Sequence, residues 1–256
     1  MSATWTIEPM AFGEFPEVEL SGYTYAKNQG VKRASPALSF LLRSGDRVVL
    51  VDTGPAQRDQ DHHPSHVQLR RGPTVGLDAS LERLGPGCPG PGDIDTVVIT
   101  HLHYDHACNL DRFPQARIHI QAEELRTAVD PIAHQRAMYE FGLRDFVPSW
   151  MTVTAQIERV RGDFELAPGL RLLLLPGHTP GMQSVLVQTE AGPYLLASDL
   201  ISSYDNLDDG ASGWSYPGIH TDLVACERSL ERIHRLGAVI LPSHDWRVMD
   251  QPIYPG

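Results

Sequence analysis

One stretch of ten residues constrains the fold more than any other, because an apolar segment runs straight into a cluster of metal-binding residue types. It reads Val-Val-Ile-Thr-His-Leu-His-Tyr-Asp-His over 97–106. The apolar run lies between turn-rich and polar segments, which predicts a buried strand. His101 and His103 share one face of an extended chain, and a turn after them would bring Asp105 and His106 alongside. The stretch therefore predicts a metal site at the end of a strand.

The ligand types limit the chemistry of this site but leave the metal open. Imidazole suits zinc and similar cations, whereas carboxylate suits harder ones, so the mixed set is compatible with Zn, Fe, Mn or Co. The ligand types form two adjacent groups, His101 with His103 and Asp105 with His106. This arrangement favours two metal ions.

Composition narrows the class of protein. A chain of 256 residues can bury one full core, so we expect a single domain over 1–256. No apolar run approaches the roughly 20 residues that a membrane span needs. The N-terminus lacks the basic start and apolar region of a signal peptide, so we expect a cytoplasmic protein. The net charge of −11 argues against nucleic-acid binding. We expect a small-molecule substrate, and the oligomeric state, monomer or dimer, is open.

The cysteines give little support for a disulfide framework or a cysteine-rich metal site. There are three of them, Cys88, Cys108 and Cys226, and they are widely spaced. Cys108 lies two residues after His106, so packing and an influence on the metal both remain open for it.

Three later strand ends also carry ligand types. The apolar run 170–175 leads into Pro-Gly-His-Thr-Pro-Gly with His178, a second predicted strand ends near Asp199, and the run 238–241 ends before His244. Active sites of layered α/β proteins gather where strand ends meet. We therefore expect these residues to join the first cluster, giving five histidines and two aspartates.

Other segments predict the frame around this site. Two hairpins are predicted, one from 36–42 with 47–51 and one from 184–188 with 194–197. Asp52, at the end of the first, is either a turn residue or a partner of a ligating histidine. The polar stretch 57–74 predicts a surface loop with solvated histidines. Helices are predicted over 122–129, 132–141 and 222–236, the last capped by Thr221.

The order of these residues resembles the metallo-β-lactamase superfamily hydrolases, whose His-x-His-x-Asp-His motif is intact at 101–106. The resemblance is strongest to the N-acyl-homoserine lactonase and small-lactone hydrolase branch, through Leu-Pro-Gly-His-Thr-Pro-Gly-Met-Gln-Ser and Pro-Ser-His-Asp. It implies an α/β fold, an αββα sandwich with the metal site at one edge of the two sheets. It also implies two divalent metal ions, with zinc as the first candidate. One ion would be held by His101, His103 and His178, the other by Asp105, His106 and His244, and Asp199 would bridge both.

The reaction implied by this resemblance is the opening of a lactone ring by a metal-bridging hydroxide, with an N-acyl-homoserine lactone as one candidate substrate. Asp105 would pass a proton to the leaving alkoxide. The chain departs from the branch at Ala107-Cys108-Asn109, where members carry glycine, and at Ser202, where they carry a catalytic tyrosine. Tyr204 is therefore the candidate for the missing hydrogen bond to substrate.

Several other functions fit the same motifs. Within the superfamily, the chain could hydrolyse a thioester, another small lactone or a linear carboxylic ester. A mononuclear iron enzyme resembling persulfide dioxygenases shares part of the motif. A non-catalytic metal-dependent binding protein is a third class, since a fold does not fix a function.

Overall fold

The computed structural model describes residues 3–56, 76–83, 89–142, 147–207 and 213–256. The predicted loop over 57–74 lies outside the described residues. In the described part, eleven strands form a six-stranded and a five-stranded sheet. The strands are β1 Thr6–Glu19, β2 Lys32–Ser44, β3 Arg47–Val51, β4 Thr96–Val98, β5 Arg117–Gln121, β6 Ile157–Val160, β7 Phe164–Ala167, β8 Leu170–Leu174, β9 Gln183–Thr189, β10 Gly192–Leu196 and β11 Val239–Leu241.

Both sheets are mixed. The first has the order β1-β2-β3-β4-β5-β6, antiparallel as far as β3 and parallel from β3 to β6. The second has the order β11-β10-β9-β8-β7, antiparallel except for the parallel pair β10 and β11. Both predicted hairpins are confirmed, as β2 with β3 and β9 with β10.

The alternation of side chains along the strands builds three apolar layers. Val98 of β4 and Leu172 of β8 belong to the cluster between the sheets. Their neighbours Val97 and Leu173 point the other way, into the outer clusters of the first and second sheets. Because both faces of each sheet are covered, strands such as β3 and β8 are nearly continuous apolar runs in the sequence.

Helices cover the outer faces of the two sheets. They are α1 Leu77–Arg83, α2 Tyr104–Ala107, α3 Ala122–Val129, α4 Ser149–Thr152 and α5 Leu223–Leu236. The first four contribute apolar residues to the outer cluster of the first sheet, whereas Leu230 and Ile233 of α5 pack on the second sheet. The predicted αββα sandwich is confirmed. Among the described residues, no helix is long and apolar enough to cross a membrane.

Two local predictions are wrong. The segment 132–141 was expected to be a helix but holds a short 3-10 turn at Ala133–Gln135, followed by turns. Helix α5 is capped by Asp222 and not by Thr221: a carboxylate oxygen of Asp222 accepts from the backbone nitrogens of Val224 at 2.8 Å and Ala225 at 3.0 Å. The Thr221 hydroxyl instead donates to a backbone oxygen in the Pro-Gly-His loop.

The first strand, β1, was not predicted because its sequence shows no strong period. Its pairing with β2 has register shifts between Ala11 and Gly13 and between Phe15 and Val18. Such shifts break the alternation of buried and exposed positions that identifies a strand in a sequence.

Candidate metal centre

All seven residues predicted as metal ligands meet at one edge of the sandwich. They lie just beyond the ends of β4, β8, β10 and β11, and each is at most 8% exposed. The ends of four strands from two sheets therefore supply one buried site. Its members are His101, His103, Asp105, His106, His178, Asp199 and His244.

The side chains form two groups. One consists of His101, His103 and His178, and the other of Asp105, His106, Asp199 and His244. Within each group, one nitrogen or oxygen atom per residue lies within 4.8 Å of the corresponding atoms of the others. These groups correspond to the two ligand sets that the sequence resemblance implies.

Asp199 belongs to the second group but also faces the first. Its Oδ2 atom is 3.6 Å from His178 Nε2 and 4.0 Å from His101 Nε2. Its Oδ1 atom is 3.1 Å from His244 Nε2 and 3.3 Å from His106 Nε2. One carboxylate thus faces the first group with one oxygen and the second group with the other.

The donor atoms fit divalent metal ions. His101 Nε2 and Asp105 Oδ1 are buried and have no hydrogen-bond partner among the described residues. A buried polar atom without a partner is costly, so such atoms point to a ligand. Imidazole nitrogens with carboxylate oxygens are a donor set that zinc and similar cations take.

In three of the clustered histidines, an oxygen acceptor fixes Nδ1, the ring nitrogen that points away from the cluster. Nδ1 of His178 lies 2.8 Å from the backbone oxygen of Ile219, and Nδ1 of His244 lies 2.8 Å from that of Pro36. A carbonyl oxygen only accepts, so each Nδ1 carries the proton in the neutral ring. The Nε2 lone pairs therefore face the ligand groups.

The third of these histidines is held by Asp52. Nδ1 of His106 lies 2.8 Å from Asp52 Oδ2, and the other carboxylate oxygen accepts from the Thr100 backbone nitrogen at 2.7 Å. Asp52 has a φ of 59°, a left-handed conformation that Asp and Asn tolerate better than most residues. The alternative left open by the sequence is therefore decided: Asp52 is the partner of a clustered histidine.

The two groups differ in how they bind protons. Burial lowers the pKa of His101 and His103 well below the ordinary value, and the neighbouring imidazoles add to this effect. Burial acts in the same direction on His106, but the carboxylates of Asp199 and Asp105 outweigh it and raise the pKa of His106 well above the ordinary value. Burial acts to raise the pKa of Asp199, but the facing imidazoles of the second group outweigh it and hold that pKa well below its ordinary value.

A cavity of about 170 Å³ opens onto the ligands. Asp105, His178, Asp199 and His244 line its floor, and Ser202 lies beside them. Its walls are mainly apolar and aromatic, and they come from the end of β1, the turn after it, α2 and the segment after α3. These wall residues are Phe15, Val18, Tyr23, Tyr104 and Met138.

Tyr23 was not singled out by the sequence, yet it packs directly on a predicted ligand. Its ring stacks on the His244 imidazole, with centroids 5.4 Å apart and an angle of 7° between the planes. Its hydroxyl lies 2.9 Å from Ser35 Oγ, and Ser35 donates to the His244 backbone oxygen at 2.6 Å. Since Ser35 has one hydroxyl proton, Tyr23 is the donor of the first bond. No local sequence pattern signals this contact.

Tyr204 lies outside the cavity. Its ring sits under the Arg247 guanidinium, 4.8 Å from the centroid, and packs against the cluster between the sheets. Burial raises the pKa of Tyr204 to about 12. Tyr204 is not among the described residues that line the cavity, whereas Ser202 is. This placement does not support the predicted hydrogen bond from Tyr204 to substrate.

Cys108 and Glu124 also border the site. Cys108 belongs to neither ligand group among the described residues; its Sγ lies 3.5 Å from Glu140 Oε2, and burial raises the pKa of its thiol well above the ordinary value. Packing is thus the role that the structure gives Cys108.

Glu124 of α3, which the sequence did not single out, is completely buried.

Glu124 connects the two chain segments that carry the first ligand group. One of its oxygens accepts from the Leu102 backbone nitrogen at 2.9 Å and from the Tyr139 hydroxyl at 2.8 Å. The other accepts from the Thr179 hydroxyl at 2.6 Å. Leu102 lies between His101 and His103, and Thr179 follows His178. One buried carboxylate therefore sets the spacing of the three histidines.

Comparison with known proteins gives sequence relatives that are N-acyl homoserine lactonases. An N-acyl homoserine lactonase of Bacillus sp. is 30% identical over 217 residues, which cover 80% of this chain and 77% of that protein. The N-acyl homoserine lactonase AiiB of Agrobacterium fabrum (strain C58 / ATCC 33970) is 30% identical over 213 residues, covering 78% and 74%.

Solved structures share the fold. A quorum-quenching N-acyl homoserine lactone hydrolase superposes with a TM-score of 0.70 at 24% identity, covering 96% of this chain and 94% of that one. A variant of AiiA from B. thuringiensis with N-decanoyl-L-homoserine bound gives 0.73 at 22%, covering 100% and 99%. AidC, a dizinc lactonase in complex with a product, gives 0.70 at 18%, covering 96% and 89%.

The match to a protein family is equally extensive. Residues 33–244 match the family described as the metallo-beta-lactamase superfamily, and this range includes all seven clustered residues. The chain belongs to the metallo-β-lactamase superfamily.

Proposed function

We propose that this protein hydrolyses the ring ester of N-acyl homoserine lactones at a dinuclear divalent metal centre, with zinc as the metal. The observation that carries the proposal is the position of Asp199, whose two oxygens face two separate groups of buried ligands. The sequence relatives support it, because they are N-acyl homoserine lactonases at about 30% identity over most of both chains.

The residues divide into two ligand sets in this proposal. His101, His103 and His178 would hold one ion, Asp105, His106 and His244 the other, and Asp199 both. When bound, the two ions would supply Lewis acidity that polarises the ester carbonyl and lowers the pKa of a water molecule toward neutrality. Everything else in the reaction falls to the chain's own side chains.

Asp105 is the residue to which we assign the proton transfer. It lines the cavity floor, and its Oδ2 atom lies 3.6 Å from His244 Nε2 and 3.8 Å from His106 Nε2. Opening the ring breaks the bond between the acyl carbon and the ring oxygen, and the alkoxide released there takes up one proton. A carboxylate at the cavity floor is placed to accept the proton that the attacking water gives up and to deliver it to that oxygen.

The walls of the cavity suit the acyl part of such a substrate. Phe15 of β1, Tyr104 of α2 and Met138 present apolar surface beside the ligands. Burying a hydrocarbon chain there would be favourable, and the polar ring would then point toward the ligand groups. The Ser202 hydroxyl, at the position where the lactonase branch carries tyrosine, is the polar side chain we assign to contact the ring.

The test combines substrate profiling with metal analysis of the purified protein. We expect two zinc ions per chain and faster hydrolysis of N-hexanoyl homoserine lactone than of linear esters or thioesters of equal chain length. In Asp199→Ala, we expect loss of metal and a fall in kcat/KM of about a hundredfold or more, because both ligand groups lose a shared carboxylate. Asp46→Asn, in the exposed β2–β3 turn, is the control and should leave both unchanged.

Two results would contradict the proposal. One iron per chain with oxygen consumption on a thiol substrate would identify the dioxygenase alternative. Full metal content and full activity in Asp199→Ala would remove the bridging role of Asp199 even if the protein proved to be a lactonase.

A further inference from the structure

A second cavity lies on the outer face of the first sheet, between α3, α4 and the edge strand β6. Its volume is about 350 Å³, and it shares no lining residue with the cavity at the metal ligands. This size is at the lower end of the roughly 300–1,000 Å³ range of small-molecule sites. We call it the β6 groove.

The floor of the β6 groove is apolar. Trp150 of α4 is 6% exposed, and Leu125 and Ile157 are half-buried against the outer core cluster. Val129, at the end of α3, is 50% exposed on the rim. An aliphatic chain lying here would remove this surface from water.

The rim of the groove is cationic. Side chains along β6 and the residue after it alternate between faces: Val160 points into the core between the sheets, while Arg159 and Arg161 line the groove. Arg126 of α3 also lines it but pairs with Glu123 at 2.5 Å. Arg159 and Arg161 form no ion pair with any described residue. Two available guanidinium groups at one apolar groove are notable in a chain of net charge −11.

We propose that the β6 groove binds an amphiphilic anion, one aliphatic chain of medium length ending in a carboxylate. The chain would lie on Trp150 and its apolar neighbours, and the carboxylate would be bound by Arg159 and Arg161. Guanidinium groups match carboxylates in geometry and bind them through paired, charge-assisted hydrogen bonds. Fatty carboxylates belong to this class, and so do the ring-opened N-acyl homoserines that the proposed reaction releases.

The test is titration calorimetry of the zinc-loaded protein with decanoate. We expect one bound molecule per chain. In the double variant Arg159→Gln/Arg161→Gln, affinity should fall roughly tenfold or more, because both charge-assisted contacts are lost. The control is Arg228→Gln/Arg235→Gln, which removes two charges from exposed positions of α5 on the opposite layer and should leave the affinity unchanged.

Three further arms define the ligand and guard against misfolding. The affinity for 1-decanol should be lower than that for decanoate by roughly tenfold or more, since 1-decanol lacks the charge. N-Decanoyl-homoserine carboxylate, titrated in the same way, distinguishes a fatty carboxylate from a reaction product as the preferred ligand. Val129→Asp places a carboxylate at an exposed rim position and should weaken decanoate binding without altering the thermal transition.

Absence of decanoate binding would overturn the proposal. So would equal affinity in the double variant and the wild type. Decanoate that competes with lactone and is lost on chelation of zinc would sit at the metal centre, which also overturns it. Failure of the proposed lactonase activity would leave all of these binding measurements intact, so the two proposals fail separately.

Discussion

A clustered histidine can bind a metal only through a nitrogen without a proton, so the partner of its other nitrogen controls the site. For His178 and His244 that partner is a backbone oxygen, which substitution of a side chain cannot remove. For His106 it is the Asp52 carboxylate. Of the two histidines in the second ligand group, His106 is therefore the one whose Nδ1 contact a side-chain substitution can change.

We predict that Asp52→Asn weakens metal binding by about 10- to 100-fold. The amide oxygen would remain on the Thr100 backbone nitrogen, so its NH2 group would face His106 Nδ1 and force the proton onto Nε2. Asn also tolerates the left-handed conformation of Asp52, so the backbone should be kept. Zinc affinity by chelator competition measures the effect, with Asp46→Asn as control. Unchanged zinc affinity would show that the His106 tautomer does not depend on Asp52.

We predict that Tyr204→Phe leaves kcat/KM for lactone hydrolysis unchanged, because the Tyr204 ring packs under Arg247 outside the cavity. Steady-state kinetics on N-hexanoyl homoserine lactone measures this. A fall of about tenfold or more would return Tyr204 to the catalytic role expected from the sequence.

Tyr23→Phe, by contrast, should lower the free energy of unfolding by about 1 kcal/mol, since it removes the hydrogen bond from the Tyr23 hydroxyl to Ser35.

At the scale of elements, the site depends on how closely the Pro-Gly-His-Thr-Pro-Gly loop approaches two helices. A Cβ atom on Gly177 would lie 2.5 Å from Cys226 Sγ of α5. A Cβ atom on Gly181 would lie 2.1 Å from the Glu124 backbone nitrogen of α3. Glycine at both positions lets the loop that carries His178 lie against both outer layers.

We predict that Gly181→Ala lowers the free energy of unfolding by about 1–3 kcal/mol and reduces zinc affinity, because the obstructing atoms are helix backbone and the loop must move. Urea unfolding and chelator competition measure the two effects. Gly92→Ala is the matched control, since a Cβ atom there would meet nothing within 4 Å. Wild-type stability in Gly181→Ala would mean that α3 and the loop separate at little cost.

At the scale of the whole molecule, the seven clustered residues lie where two sheets end together, so we expect metal binding to stabilise the folded state. We predict that zinc at a hundredfold excess over its dissociation constant raises the free energy of unfolding over the metal-free protein by about 2.7 kcal/mol for each ion bound. Calorimetry before and after chelation measures the shift. Asp199→Ala should lose most of it, and an equal Tm with and without zinc would contradict the linkage.

The expectation of a single domain over 1–256 also belongs to this scale. The first strand forms a bridge with the chain end, Ile7 to Tyr254, so the sandwich is closed by residues from both termini. We predict one calorimetric transition for the metal-loaded protein, because both sheets contribute residues to the apolar cluster between them. Two separate transitions would contradict it. The cytoplasmic location and the choice between monomer and dimer stay predictions.

The sequence alone predicted the elements whose pattern is local. Apolar runs ending in ligand types identified β4, β8 and β11, Gly-containing turns identified two hairpins, and α3 and α5 followed from their composition. These runs and the end of the second hairpin supplied all seven clustered residues, because each of them follows a strand end closely. The expected helix over 132–141 failed because good helix formers there are held in turns, with Glu140 in a left-handed conformation.

Only the tertiary structure decided which side chains meet across the chain. That Asp52 holds His106, that Tyr23 rather than Tyr204 borders the cavity, and that Glu124 spaces the first ligand group all depend on contacts between segments far apart in sequence. Such contacts arise from the packing of two sheets against each other and leave no periodic trace in the chain. The sequence therefore determined the seven clustered residues and the layers, and the packing determined which side chains orient the cluster.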